Sequence, residues 1–170
     1  MELRGEPVRA SELDPDFKVE VIAHGAARDI TACFSCGTCT AGCPIHEIFP
    51  AFDPRKIARM VNLGMRERVL SSSYIWYCAT CHACEDNCPQ NVKFFNVLNV
   101  LKNMAAKEGY APPAWVNQTK QVMRTGIVFP TEESWVRKRE GLSLRSLKGD
   151  ARGATKLIQS VRADRIEPRA

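Results

Sequence analysis

Eight cysteines constrain this chain more than any other feature, because they fall into two copies of one spacing. Cys33-x2-Cys36-x2-Cys39-x3-Cys43-Pro44 is repeated as Cys78-x2-Cys81-x2-Cys84-x3-Cys88-Pro89, and no cysteine lies outside the two units. A cubane iron–sulfur cluster offers four iron corners and takes one thiolate at each. Two-residue gaps let a tight loop carry three successive sulfurs to three corners. The proline after the fourth cysteine redirects the chain, since its φ is fixed and it has no N–H. In two-cluster ferredoxins the fourth cysteine of each run ligates the other cluster. The expectation is two [4Fe–4S] clusters, one held by Cys33, Cys36, Cys39 and Cys88, the other by Cys78, Cys81, Cys84 and Cys43. Crossed in this way, holding the clusters and holding the fold become one task, and loss of cluster should partly unfold the domain.

Other uses of the cysteines fit the spacing less well. Four disulfides need an oxidising compartment, and three cysteines at two-residue gaps pair poorly. Structural zinc presents paired Cys-x2-Cys units, not quartets ending in x3-Cys-Pro. Gly37, Gly42 and Ala83 would admit backbone N–H groups close to the sulfides, where hydrogen bonds raise the reduction potential, although turn geometry alone also explains small residues there. His46 and His82 stand near the cysteines, but no ligand position is vacant for them. His24 has no motif around it and is expected at the surface.

Nothing in the chain reads as a catalytic site. It has no Gly-x-Gly-x-x-Gly, no Gly-x-x-x-x-Gly-Lys-[Ser/Thr], and no spare cysteine for nucleophilic work. At 170 residues a catalytic domain beside the cysteine region would be cramped, and 45% apolar content argues against disorder over the full length. No apolar run approaches the roughly 18–20 residues that span a bilayer. Met1-Glu2-Leu3-Arg4-Gly5-Glu6-Pro7 lacks the pattern of a signal peptide, so a cytoplasmic protein without a transmembrane segment is expected.

The pattern between the cysteines is helical. Phe17 to Arg28 reads as a short helix. Asp53-Pro54 is a helix start, with Asp as cap and Pro at the first position. Ile57, Met60, Val61 and Gly64 share one face, Arg55, Lys56 and Arg59 lie largely on the other, and Asn62-Leu63-Gly64 is the stop. A second helix over about 65–70 follows, and Ser71-Ser72-Ser73 is placed to cap a turn through Ile75 and Trp76. Asn91 is placed to cap a helix carrying Phe94, Val97, Leu98, Leu101, Met104 and Ala105, closed by Gly109. Pro112-Pro113 opens another, with Trp115, Thr119, Val122 and Met123, stopped by Gly126. Trp76, Tyr77, Phe94, Phe95 and Trp115 are expected in the core. No alternating stretch is long enough for a strand, so the fold class is mainly α.

Charge divides unevenly. Of the net +5, residues from Arg137 onward carry ten basic against four acidic, while the first 136 carry fourteen against fifteen. Three regions result: a weakly ordered lead-in over 1–16, a helical cysteine-bearing domain over 17–130, and a basic tail over 131–170. In the tail, Leu157, Ile158, Val161 and Ile166 form the apolar side of a short helix with Arg162 and Arg165 opposite. Apolar anchors without a core of their own suggest that the tail docks on a partner protein.

The residues just read resemble the C subunits of heterodisulfide reductases, including the related complexes of sulfur metabolism. The likeness runs over about residues 17–128. It includes Cys33-Phe34-Ser35-Cys36-Gly37-Thr38-Cys39-Thr40-Ala41-Gly42-Cys43-Pro44, Asp53-Pro54-Arg55-Lys56-Ile57, Asn62-Leu63-Gly64, Ile75-Trp76-Tyr77-Cys78-Ala79-Thr80-Cys81 and Glu108-Gly109-Tyr110. That resemblance implies an α-helical ferredoxin fold with two [4Fe–4S] clusters on the eight cysteines. It further implies assembly with two other proteins, one flavin-containing and one cysteine-rich, the latter acting on a disulfide. The role implied is to relay electrons between them. The substrate stays open between the coenzyme M–coenzyme B heterodisulfide and another thiol–disulfide couple.

Two other functions compete. The iron–sulfur subunits of membrane dehydrogenases (for succinate, glycerol phosphate or glycolate) share the paired motif, though many carry a further [2Fe–2S] domain or fused cysteine-rich repeats. A nucleic-acid-binding iron–sulfur protein would use Arg137-Lys138-Arg139 with Trp135 stacked on a base, but a solvated basic tail is the commoner meaning of such a run.

Overall fold

The computed structural model describes residues 7–129, 131–147 and 149–169. Among these no strand forms, and the fold is mainly helical. Two compact units divide between Tyr110 and Ala111, ahead of residue 131, where the sequence pattern starts the tail. Of the lead-in, residues 1–6 lie outside the described residues; Asp14 is fastened by its N–H to the Gly64 carbonyl at 2.8 Å.

In the first unit, helix α1 spans Phe17–Ala23 and buries Phe17 and Val21. The helix expected to run on to Arg28 breaks at His24, whose ψ of 96° is extended, ahead of Gly25, a poor helix former. A 3-10 helix then spans Gly25–Ala32. Its period of three stacks Ala27 and Ile30, both fully buried, in line with Cys33. The tighter winding therefore delivers the first cysteine against the core.

After the first cysteine run, with α2 at Thr38–Ala41 and α3 at Pro44–Ile48, comes α4 at Pro54–Asn62. Its start follows the sequence: Asp53 accepts the Lys56 N–H at 3.0 Å and Pro54 fills the first turn. Ile57, Ala58, Met60 and Val61 are buried, and Gly64, at φ +76°, turns the chain into α5 at Arg66–Leu70. Ser71 and Ser72 donate back to the Glu67 and Val69 carbonyls, finishing α5 instead of capping the next turn. A 3-10 turn at Tyr74–Tyr77 leads to the second run, which contains α6 at Ala83–Asp86.

Helix α7, Phe94–Lys107, is the centre of the unit. It buries Phe94, Val97, Leu98, Leu101, Met104 and Ala105 at the expected spacing and ends at Gly109, φ +83°. Its start differs from expectation. Asn91 does not cap it but sits at φ +54°, and Lys93 is the residue before the helix. The cause lies in the cysteine run: the Val92 N–H points to the Cys88 sulfur at 3.2 Å, which keeps 88–92 as loop. Arg66 clamps three segments, bonding Glu108 through Nε and Nη2 at 3.1 and 2.6 Å and Glu20 through Nη1 at 2.5 Å, with Asp14 at 3.4 Å.

The aromatic assignment needs correction. Of the five residues expected inside, Phe94 is buried, Trp76 and Phe95 are half-buried, and Tyr77 and Trp115 are exposed. Phe17, Phe52 and Tyr74 fill the core instead. Tyr77 faces outward because it stacks edge-on with the exposed Phe49, ring centres 5.0 Å apart.

The second unit comprises α8 at Pro113–Thr125, α9 at Glu133–Gly141 and α10 at Ala151–Ser160. Gly126, φ +71°, stops α8 as expected. Asp150 caps α10 by accepting the Gly153 N–H at 2.8 Å, and the Thr155 hydroxyl donates to the Met123 carbonyl of α8 at 3.0 Å. The apolar helix face expected to run to Ile166 stops sooner, because α10 ends at Ser160 and Arg162 takes φ +58°. Leu157 and Val161 are left more than two-thirds exposed.

Candidate iron–sulfur centre

The two cysteine runs adopt one conformation twice. At equivalent positions, Ser35 and Thr80 take φ +59° and +56°, and Gly37 and His82 take +93° and +63°. A four-residue helix follows each, α2 in one run and α6 in the other. Left-handed backbone at a non-glycine residue costs of order 1–2 kcal/mol. Among the described residues of the first unit, every such residue (Ser35, Thr80, His82 and Asn91) lies in or just after a cysteine run. Strain gathered so narrowly marks a functional loop.

The sulfurs converge on two cavities. One, of about 420 Å³ including its open mouth, is lined by Cys33, Cys36, Cys39 and Cys88, together with Cys84. The other, of about 360 Å³ on the same measure, is lined by Cys43, Cys78, Cys81 and Cys84. Each cavity thus meets three cysteines of one run and the fourth of the other, the first cavity meeting Cys84 as well. Cys84 and Phe94 border both and form the partition between them. Exposure repeats with the motif: Cys36 and Cys81, the second cysteines, face solvent, and the other six are half-buried.

The electrostatics are those of crowded thiols. Burial, then the neighbouring Cys78 and Glu85, push the Cys84 thiol up to about 12. Burial raises Cys39 as well, with Cys33, Cys36 and Cys88 adding to it. The exposed Cys36 is lowered instead, by the Thr38 hydroxyl 3.3 Å from its sulfur. Four thiolates drawn together repel unless positive iron sits among them, so these donor sets favour a polynuclear cationic group over free thiols. Backbone donors already aim at sulfur: Thr80 N–H at Cys78 over 3.5 Å, and Val92 N–H at Cys88 over 3.2 Å. The residues present fit two cubane clusters.

Around this frame the histidines have other work. His46 donates from Nδ1 to the Phe52 carbonyl at 2.9 Å. His82 lies against the Phe95 ring, centres 4.2 Å apart, with Nδ1 3.1 Å from Glu85 Oε2. His24 is exposed. Sequence reasoning missed Thr80 and Val92 as sulfur donors, Phe94 as partition, and Arg55, which lines the first cavity. For Arg55 the sequence signal was present, since it stands at the start of the capped helix α4.

Comparison with known proteins agrees with this geometry. The family profile described as "4Fe-4S dicluster domain" matches residues 29–92, which contain all eight cysteines. The class is therefore a two-cluster iron–sulfur protein, and this chain carries two [4Fe–4S] clusters. An iron–sulfur C-type subunit of the CoB–CoM heterodisulfide reductase of Methanocaldococcus jannaschii is 34% identical over 162 residues, covering 91% of this chain and 86% of the relative. The C-type subunit of the H2:CoB–CoM heterodisulfide, ferredoxin reductase of Methanothermobacter thermautotrophicus is 32% identical over 140 residues, with 82% and 75% covered. The corresponding iron–sulfur protein of Methanopyrus kandleri is 33% identical over 151 residues, with 84% and 78% covered. The chain belongs to the family of heterodisulfide reductase iron–sulfur C-type subunits. Among the described residues no helix is long and apolar enough to cross a membrane.

Proposed function

We propose that this chain relays single electrons between a flavin-containing subunit and a cysteine-rich, disulfide-active subunit of a cytoplasmic heterodisulfide reductase-type complex. Cys33, Cys36, Cys39 and Cys88 hold one cluster, and Cys78, Cys81, Cys84 and Cys43 the other, on an α-helical ferredoxin fold. The observation that carries the ligand sets is the exchange of fourth cysteines between the two cavities. Bound there, each cluster supplies a one-electron carrier with no open position for substrate. The chain's own residues keep the carriers apart yet adjacent, with Phe94 and the shared Cys84 between them, and leave one cysteine of each run, Cys36 and Cys81, exposed. Substrate conversion falls to the partner, and the second unit docks on it through exposed residues such as Trp135, Leu157 and Val161. The relatives' names point to the CoB–CoM heterodisulfide as the couple served, with another thiol–disulfide pair as the alternative.

The test is anaerobic purification of the chain with whatever accompanies it, followed by iron and sulfide analysis and EPR after reduction. About eight irons per chain, following from four per cubane, together with a co-purifying flavoprotein and a cysteine-rich protein, are expected. A chain that carries its clusters but purifies with neither of the two, when all three are co-expressed, overturns the relay reading.

A further inference from the structure

We propose that Arg55 sets the reduction potential of the cluster held by Cys33, Cys36, Cys39 and Cys88 above that of its neighbour; this rests on the ligand sets proposed above. Arg55 is the one charged side chain besides the cysteines that lines the first cavity among the described residues. Its placement is built. The buried Asp53 holds the Thr40 hydroxyl at 2.7 Å, and that oxygen accepts the Arg55 N–H at 2.9 Å. Thr40 follows Cys39 directly, so the start of α4 is tied to the third ligand of the run.

The side chain then reaches over the loop. A Cβ placed on Gly37 would meet Arg55 Cδ at 3.5 Å and its Nε and Nη1 at 3.9 Å. Gly37 stands between Cys36 and Cys39, so the guanidinium lies across the loop that carries both sulfurs. A guanidinium stays protonated at any working pH. Among the described residues it forms no ion pair, whereas the nearby Asp53 charge is met by Lys56 at 3.6 Å.

The second cavity has no such cation. None of its lining residues is Arg, Lys, Asp or Glu, and its one titratable side chain besides the cysteines is His82, which lies 3.1 Å from Glu85 Oε2. Two charges outside its lining act on its cysteines. Lys102 acts on Cys78, and Glu85 acts on Cys84 with Oε2 turned to His82 and Oε1 buried without a hydrogen-bond partner among the described residues. These two are of opposite sign, whereas Arg55 is the one cation in the lining of the first cavity among the described residues. A cluster gains negative charge on reduction, and a fixed positive charge beside it stabilises that state. Water screens the exposed guanidinium, so the effect is moderate. It makes the first cluster the preferred resting place for a single electron.

The experiment is a potentiometric EPR titration of the full-length, cluster-loaded chain with Arg55→Gln and Arg55→Lys. Arg55→Gln should lower one of the two potentials by about threefold to tenfold in the reduction equilibrium, ~30–60 mV at 59 mV per tenfold for one electron. The other potential should move less, and Arg55→Lys should stay near the wild type. Two unmoved potentials in an eight-iron Arg55→Gln chain overturn the role of Arg55. If Arg55→Gln does not load, wild-type titrations at low and high salt decide: screening should narrow the gap between the two potentials, and an insensitive gap overturns the proposal. In a Cys88→Ala chain the one remaining cluster should move no more with Arg55→Gln than the less affected potential of the full chain. A full-sized response there overturns the ligand assignment and not the influence of Arg55.

Discussion

Thr40 donates its hydroxyl proton to the buried carboxylate of Asp53 over 2.7 Å, which fastens the first cysteine run to the helix behind it. Asp53 is 3% exposed and also caps Lys56 at 3.0 Å, so one side chain starts α4 and positions Thr40. Asp53→Ala removes the cap and leaves the Thr40 hydroxyl without its acceptor. A loss of roughly 2–3 kcal/mol in urea unfolding follows from the two terms.

The same carboxylate gives a pH dependence. Burial pushes its pKa up, but the Thr40 hydroxyl, the Lys56 amide and the Lys56 ammonium together outweigh burial and hold it below the ordinary value. A carboxyl lowered in the folded state stabilises above its unfolded pKa, and that contribution is lost as pH falls through the folded value. The gap in urea midpoint between wild type and Asp53→Asn should therefore be full at pH 7 and shrink below pH ~4. A gap that stays constant down through that range would refute the linkage.

Gly64 makes the sharpest steric prediction in the first unit. Its φ is +76°, and a Cβ there would stand 2.3 Å from the Asp14 carbonyl oxygen, a backbone atom that cannot swing aside. Gly64→Ala should cost about 3 kcal/mol or more through left-handed strain and overpacking together. Gly25 is the control, since nothing lies within 4 Å of its Cβ position. Gly25→Ala should stay within about 0.5 kcal/mol of the wild type, or stabilise, when both variants are compared by thermal melts.

Arg66 is a polar clamp whose geometry a lysine cannot copy. Two of its nitrogens grip Glu108 while Nη1 reaches Glu20, and its guanidinium lies 5.5 Å from the centre of the Phe17 ring. The pairs are partly exposed, so Arg66→Ala should cost roughly 1–2 kcal/mol, less in high salt. Arg66→Lys should recover under half of that, because an ammonium makes no two-pronged contact. Full recovery in Arg66→Lys would show that charge alone matters.

Much of this was readable in the residues, and the places where reading failed share a cause. The start of α4 at Asp53-Pro54 and the stop at Gly64 are local chemistry, a cap and a left-handed turn, and the structure has both. The stripe of α7 from Phe94 to Ala105 is a periodic pattern that a buried helix must show. Asn91 looked like a cap by the same local rules, yet the Cys88 sulfur takes the Val92 N–H and holds the loop open. Tyr77 looked like core by its bulk, but Phe49, far away in sequence, draws it outward. In both, a contact outside the capping and burial rules overrode the expected role, a cysteine sulfur four residues back for Asn91 and a ring from elsewhere in the chain for Tyr77. The cysteine spacing predicted which residues bear the chemistry; that Phe94 and Cys84 divide the cavities, and that Arg55 leans over Gly37, depends on how the two runs meet, which no single run encodes.

How the runs meet also decides which cysteines act together, and paired substitutions can read that out. If Cys88 belongs with Cys33, Cys36 and Cys39, then Cys33→Ala and Cys88→Ala each abolish the same cluster. The double variant should then lose no more iron than either single one, keeping about four irons per chain by cubane stoichiometry. Cys84→Ala with Cys88→Ala should strike both clusters and leave almost none. If each run closed on itself, the two outcomes would exchange: Cys33→Ala with Cys88→Ala would empty the protein, and Cys84→Ala with Cys88→Ala would spare one cluster. Gly42 and Asn87 make the crossed arrangement sterically specific. They hold equivalent positions in the two runs, and a Cβ on Gly42 would come within 3.3 Å of Asn87 Nδ2. A bulky residue there, as in Gly42→Leu, should force α2 and α6 apart and lower the iron content of both clusters, since each draws its fourth thiolate from across that contact. Iron analysis with EPR on these few variants tests the pairing directly, and loss confined to one cluster in Gly42→Leu would count against it.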